Sequence, residues 1–147
     1  MILRISVRCL IVKEGSILVQ LSKHGDFYRL PGGRLRPEET ILHALKREIS
    51  EELGIEIDEP KKLVYVVDSF YKRRANVVHE VSLYFLCDIG DNVKLKPREE
   101  HVKVKWVKLE DINEDNFRPK SLAEILKHDA LKGFEEDTKY VVNIEVD

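Results

Sequence analysis

Cysteine is scarce in this chain, and the two present, Cys9 and Cys87, sit inside apolar runs without metal-ligand spacing. They read as two buried thiols in a reducing cytoplasm rather than as a disulfide or a zinc site. Equally lacking is any stretch near the roughly 20 apolar residues that a membrane-spanning helix needs. The N-terminal Met1-Ile2-Leu3-Arg4 alternates polar with apolar instead of opening a secretion signal. Neither export nor a membrane partner is expected, and the expected location is cytoplasmic. An excess of one charge is also missing: 25 Lys and Arg face 27 Asp and Glu, for a net charge of -2. No overall basic field advertises nucleic-acid binding, so an anionic substrate must be drawn in locally or through metal ions. Internal repeats, low-complexity segments and linkers are absent as well. A chain of 147 residues, 43% of them hydrophobic, then reads as a single domain over residues 1–147.

What is present begins in β. Leu3, Ile5, Val7, Cys9 and Ile11 alternate with Arg4, Ser6 and Arg8, the period of a half-buried strand. Glu14-Gly15 is a turn signal, and Ile17-Leu18-Val19 reads as the return strand of a hairpin. Pro31-Gly32-Gly33 breaks the pattern. From Thr40 to Leu53 the period becomes helical, with Ile41, Leu42, Leu45, Ile49 and Leu53 on one stripe and Gly54 placed as a C-terminal cap. Strand-like runs follow at 63–70, 77–87 and 102–107, the first two predicted to form a hairpin turning at Lys72-Arg73-Arg74. Ser121 to Glu124 matches a capping box for a second helix, and 140–146 predicts a last strand. This order of elements predicts an α/β fold, a mixed β-sheet flanked by helices.

The chemistry concentrates between Gly33 and Ile55, GRLRPEETILHALKREISEELGI. At 100° per residue, Glu48, Glu51 and Glu52 fall within an arc of about 100° beside the apolar stripe, with Glu39 just before the helix. Like charges so close raise one another's pKa, and a divalent cation is their natural occupant. Carboxylate and carbonyl oxygens suit Mg²⁺ or Mn²⁺, whereas His24, His43, His79, His101 and His128 share no ligand spacing that would favour zinc. Such ions support phosphoryl transfer. Taken alone, the glutamates are also compatible with a solvated helix face, on which Arg47 and Glu51 form an i,i+4 pair.

Loop and helix together resemble the Nudix box: a glycine, five residues, Glu, seven residues, then Arg-Glu-aliphatic-x-Glu-Glu-x-Gly-aliphatic. Gly33, Glu39, Arg47, Glu48, Ile49, Glu51, Glu52, Gly54 and Ile55 occupy those positions without departure. Seven such identities at about 7% usage each coincide on the order of once in 10⁸ trials. The resemblance implies the family's α/β/α sandwich and a pyrophosphohydrolase using Mg²⁺, with Mn²⁺ as a substitute. It implies metal ligands Glu48, Glu51, Glu52 and the Gly32 carbonyl. Catalytic roles fall to Glu51, Glu52 and Arg47, with Arg47 orienting carboxylates and Glu39 acting behind them. A further acidic residue from a later loop often completes such sites; Glu99 and Glu100 are the candidates, and Glu100 is preferred.

Substrate contacts are expected from the basic cluster Lys72, Arg73 and Arg74 and from Tyr28, with Phe70, Tyr71 and Tyr84 as further aromatic candidates. His79-Glu80 is an inward-facing pair or a structural one. The expected substrate is a nucleotide-like small molecule: a nucleoside diphosphate linked to another moiety, such as ADP-ribose, a dinucleotide polyphosphate or a modified nucleoside triphosphate. A homodimer is an expectation of the resemblance alone. The competing reading is a catalytically silent Nudix-fold sensor or RNA-binding module, against which stand the intact glutamates and the absence of a basic face. An isoprenoid diphosphate isomerase would share the fold, but its expected cysteine and tryptophan context is missing.

Overall fold

The computed structural model describes residues 1–91, 93–96 and 102–146. In chain order its elements are β1 (Ile2–Leu10), β2 (Val12–Lys13), β3 (Ser16–Leu21), β4 (Tyr28–Arg29), β5 (Gly32–Arg34), α1 (Ile41–Leu53), β6 (Lys62–Arg73), β7 (Asn76–Leu86), β8 (Val104–Lys108), α2 (Ala123–Leu131) and β9 (Lys139–Glu145). A five-stranded sheet runs in the order β5-β1-β7-β6-β9. It is mixed: β1 lies parallel to β7 and β6 to β9, while β1–β5 and β6–β7 are antiparallel. In a second, smaller sheet β3 pairs with β2, β4 and β8.

Helix α1 forms where its period placed it. The Thr40 side chain accepts a hydrogen bond from the His43 N–H, and Gly54 closes the helix in the left-handed conformation at φ 69°. Ala44, Leu45, Ile49 and Leu53 pack on Val7, Cys9, Ile11 and Leu18. The two cysteines meet beneath this helix as buried free thiols, Cys9 donating to Cys87. On the opposite face of the large sheet, Leu10, Tyr65, Val67, Tyr84 and Val141 bury themselves against Ile17, Val19 and Leu30, and against Leu122, Ala123 and Leu126 around α2. The architecture is therefore the mixed sheet flanked by helices that the order of elements predicted.

Three local expectations change. The turn between β6 and β7 is made by Arg74 and Ala75, with Arg74 at φ 58°, because Lys72 and Arg73 remain paired with Val77 and Asn76. The Ser121 capping box does not form: residues 120–122 make a 3₁₀ turn, no side chain caps α2, and the Ser121 N–H donates to Asn143 Oδ1 at 3.0 Å. The first strand does not bury one continuous apolar face. Leu3 and Ile5 are exposed while Ser6 is fully buried, because α1 covers only the far half of β1.

Candidate active site

The Pro31-Gly32-Gly33 segment runs as β5 against β1, with Arg8 opposite Gly32 and Val7 opposite Gly33. A side chain is excluded at Gly32 by the backbone of β1, and one at Gly33 would displace the Glu48 carboxylate. Gly32 has φ 148°, and a Cβ on it would run into the Val7 carbonyl oxygen. A Cβ on Gly33 would stand 2.6 Å from both carboxylate oxygens of Glu48. The missing side chains let the loop lie flat on the strand and let Glu48 seat itself directly on the loop.

One turn further along α1, Glu52 is buried and accepts a hydrogen bond from the Gly32 N–H at 2.8 Å. Burial pushes its carboxyl up to about 7, opposed by Arg8, the Gly32 N–H and Gln20. Among the described residues Glu52 forms no ion pair, and Arg8 acts on its charge at longer range.

Arg47 holds the remaining carboxylates. It grips Glu39 with two hydrogen bonds, Nε to Oε2 at 2.7 Å and Nη2 to Oε1 at 2.9 Å. Its Nη1 reaches Glu48 Oε1 at 2.8 Å and Glu51 Oε2 at 3.4 Å, and Nη2 also binds the Arg34 carbonyl at 3.1 Å. The guanidinium holds Glu39 down at about 2, helped by the Arg36 N–H and His43. The loop, the helix start and two helix carboxylates are thus locked through one planar cation.

Gly32, Gly33, Glu48 and Glu52 open onto a cleft of about 590 Å³. Its walls carry seven cationic side chains, Arg4, Arg8, Arg29, Arg34, Lys72, Arg73 and Arg118, against four acidic ones, Glu48, Glu52, Glu80 and Glu145. A chain of net charge -2 therefore presents a locally positive funnel. Beneath it the polar face of the large sheet is densely hydrogen-bonded. Ser6 and Ser82 share a 2.7 Å hydrogen bond, both hydroxyls reach Glu80 at 3.1 Å, and the Tyr71 hydroxyl donates to Glu80 at 2.9 Å. Asn143 donates to Ser69 at 3.0 Å and to Glu145 at 2.7 Å.

Of the residues singled out from the sequence, Gly32, Glu48, Glu52, Arg73, Lys72, Tyr71, Tyr84 and Glu80 line the cleft. Arg47 lies behind it, and Glu51 is turned to Arg47 and, at 3.9 Å, to Arg36. Arg74 stands exposed in the hairpin turn, away from the cleft lining. Tyr28 is likewise no lining residue: its ring packs against the core under the Lys105 ammonium, 5.1 Å from the ring centre. Its neighbour Phe27 lines the cleft instead, with the Arg118 guanidinium 5.1 Å from its ring. Phe70 and His79 stack on each other on the opposite face of the sheet, 4.2 Å apart. Glu99 and Glu100 lie outside the described residues. The sequence reading missed Arg4, Arg8, Arg29, Arg34, Arg118 and Glu145; the one signal for the first two was their alternation along β1.

A second acidic group, His128, Asp129 and Glu136, gathers beside α2. Lys139 already supplies its cation, 2.6 Å from Asp129 and 2.9 Å from Glu136.

A family model described as the NUDIX domain matches residues 2–128. An 8-oxo-dGTP diphosphatase of Buchnera aphidicola subsp. Schizaphis graminum (strain Sg) is 28% identical over 112 residues, 74% of this chain and 79% of that one. Among solved structures, a MutT NUDIX hydrolase from Burkholderia pseudomallei is similar at a TM-score of 0.68 and 27% identity, over 84% of this chain and 96% of its own. An ADP-ribose pyrophosphatase from Streptococcus suis 89-1591 shares the fold at a TM-score of 0.65 and 20% identity, over 95% of this chain and 98% of that one. The family match spans most of the chain, and Glu48 and Glu52 of the box are seated on Gly33 and on Gly32 just before it: this protein belongs to the Nudix hydrolase family.

Proposed function

We propose that the chain, working as a single domain, hydrolyses a pyrophosphate linkage in a nucleoside diphosphate joined to another moiety, with Mg²⁺ as the ion and Mn²⁺ as its substitute. The observation that carries this reading is the placement of Glu52 on Gly32 and of Glu48 on Gly33 at the mouth of a cation-lined cleft. The donors we assign are all oxygen: the Glu48 and Glu52 carboxylates in the cleft and the Gly32 carbonyl, with Glu51, one turn from Glu48 and paired with Arg47, as a further ligand. That set fits a hard divalent cation, and the unpaired buried carboxyl of Glu52 fits the need for one. A bound ion of this kind neutralises phosphate oxygens and lowers the pKa of coordinated water.

The chain's own groups do the rest. Arg47 orients Glu48 and Glu51, and Glu39 fixes Arg47 from behind. Arg8 and its cationic neighbours draw in the polyphosphate and neutralise it. The hydroxyl and carboxylate groups of Ser69, Ser82, Glu80 and Glu145 line the cleft and present donors and acceptors to the rest of the substrate, with Ser6 and Asn143 holding them from beneath. We assign the general base to Glu100 and count Arg73 among the phosphate contacts. The relatives carry names of two substrate classes, 8-oxo-dGTP and ADP-ribose; both are nucleoside diphosphates bearing a further group.

The test is a panel of nucleotide sugars, dinucleotide polyphosphates and nucleoside triphosphates, ordinary and oxidised, incubated with Mg²⁺ and then Mn²⁺. Products are resolved by chromatography. Cleavage at the anhydride, dependent on the ion, is expected for at least one class. Tight nucleotide binding without turnover on any of them would overturn the proposal in favour of a silent sensor.

A further inference from the structure

Of the seven cations that line the cleft, Arg118 alone has an acidic partner among the described residues, Glu145 at 3.5 Å. Three of the others stand in a row along the β1–β5 wall. Arg8 is opposite Gly32, Arg34 is opposite Ser6, and Arg4 lies two residues beyond Ser6 on the same face of β1. At about 3.3 Å per residue, the strand between Arg8 and Arg4 covers roughly 13 Å. That row starts at Gly32, where Glu52 is seated, and leads away from it. Arg8 is engaged at the near end, where it binds the Leu30 carbonyl at 3.1 Å.

Arg4 at the far end is left over. It stands directly across from Glu80, yet the two form no ion pair, because hydroxyls already occupy that carboxylate. Ser6 and Ser82 reach Glu80 Oε2 at 3.1 Å each, and Tyr71 donates to Oε1 at 2.9 Å. Arg4 Nε is the one buried side-chain nitrogen or oxygen among the described residues with no hydrogen-bond partner. The fold thus keeps a positive charge in the cleft floor with which no carboxylate of the chain pairs.

We propose that Arg4 is a specificity-determining residue: it binds a phosphate lying beyond the scissile diphosphate, so that the cleft selects substrates with a run of more than two phosphates. The inference rests on the proposed pyrophosphate hydrolysis and narrows it. Two bridged phosphates seated between the glutamates and Arg8 do not extend along four residues of strand. A longer run does, and it passes Arg34 on the way. A guanidinium suits the task, since its planar fork matches phosphate oxygens and its charge is permanent. An uncharged sugar in the same place would cover Arg4 without pairing it.

The test is calorimetric titration of the full chain in Mg²⁺ with adenosine and guanosine di-, tri- and tetraphosphates whose bridging oxygens are replaced by methylene groups, so that binding is read without turnover. The proteins are the wild type, Arg4→Gln and, as a control with the same loss of charge, Arg74→Gln in the exposed hairpin turn. In the wild type the tetraphosphate is expected to bind at least about tenfold more tightly than the diphosphate, the effect of one charge-assisted contact. Arg4→Gln is expected to remove that gain while weakening the diphosphate less than about threefold, and Arg74→Gln to leave the whole series as it was. A wild-type affinity that does not rise with phosphate number overturns the inference without recourse to any variant. So does a loss in Arg4→Gln that is equal for short and long ligands, or one that Arg74→Gln reproduces. Failure of every nucleotide to bind would overturn the proposed function as well, whereas these other outcomes leave it standing.

Discussion

Glu52 is the residue at which folding and function conflict most openly. Its carboxyl is raised from an ordinary 4.5 to about 7 by burial, so the fold favours the neutral form. Its contribution to stability is then fully present below pH 4.5 and is lost as pH rises toward 7, by up to about 3 kcal/mol. Metal-free wild type should accordingly lose melting temperature over that window, measured by calorimetry in chelator, and Glu52→Gln should flatten the slope. An unchanged slope in the variant would place the burial cost elsewhere. Glu39 has the opposite sign. Held at about 2 by Arg47, it stabilises the fold above pH 4.5 and ceases to as pH falls toward 2. Replacing it by Gln removes the charged half of its grip on Arg47, and metal affinity read by calorimetric titration is expected to weaken about 10–100-fold. An affinity equal to wild type would show that Arg47 needs no such support.

At the scale of elements, α1 was legible because its sequence states everything that positions it: a cap at each end, one apolar stripe and carboxylates beside it. Strand β1 was legible in its period but not in its facing. Alternation says which residues share a face and not which face is covered. Arg4, Ser6 and Arg8 looked like a solvent side, whereas Arg4 and Arg8 line the cleft and Ser6 is buried beneath it against Glu80 and Ser82. His79 and Glu80 show the same ambiguity: adjacent along β7, they point to opposite faces, and only Glu80 meets the cleft. Glu145 joins the site through β9, held by Asn143 on the same strand, and the parallel pairing of β9 with β6 is a long-range contact that no local signal reports. Arg8, which also binds the Leu30 carbonyl at 3.1 Å, tests the functional meaning of this strand. With Arg8→Ala, KM for a cleaved nucleotide is expected to rise at least about tenfold, with a smaller change in kcat, as the loss of a phosphate contact implies. A variant with unchanged KM would remove β1 from the substrate wall.

For the whole molecule, the relevant electrostatic quantity is local rather than net. The composition correctly denied a global basic field, yet seven cations converge on one cleft. Their attraction for a polyphosphate acts partly through solvent and is screened over about 8–10 Å at physiological salt. Raising the salt concentration should therefore increase KM steadily while kcat holds. A salt-independent KM would mean that contact hydrogen bonds, and not the field of the cleft, bring the substrate in. The fold itself, two sheets between two helices, frames that cleft with the box on one side and the polar sheet face beneath.

The central claim is that Glu48 and Glu52, seated on Gly33 and Gly32, hold the divalent ion on which cleavage depends. Its most direct test is Mn²⁺ titration followed by electron paramagnetic resonance on wild type, Glu48→Gln and Glu52→Gln, with turnover of the best nucleotide substrate measured in the same samples. The account predicts saturable Mn²⁺ binding and turnover in the wild type. It also predicts binding weakened at least about tenfold and turnover reduced by at least about 10²-fold in each variant, with a cooperative melting transition and a wild-type circular dichroism spectrum still seen in chelator. Either variant binding Mn²⁺ and turning over substrate like the wild type would contradict it.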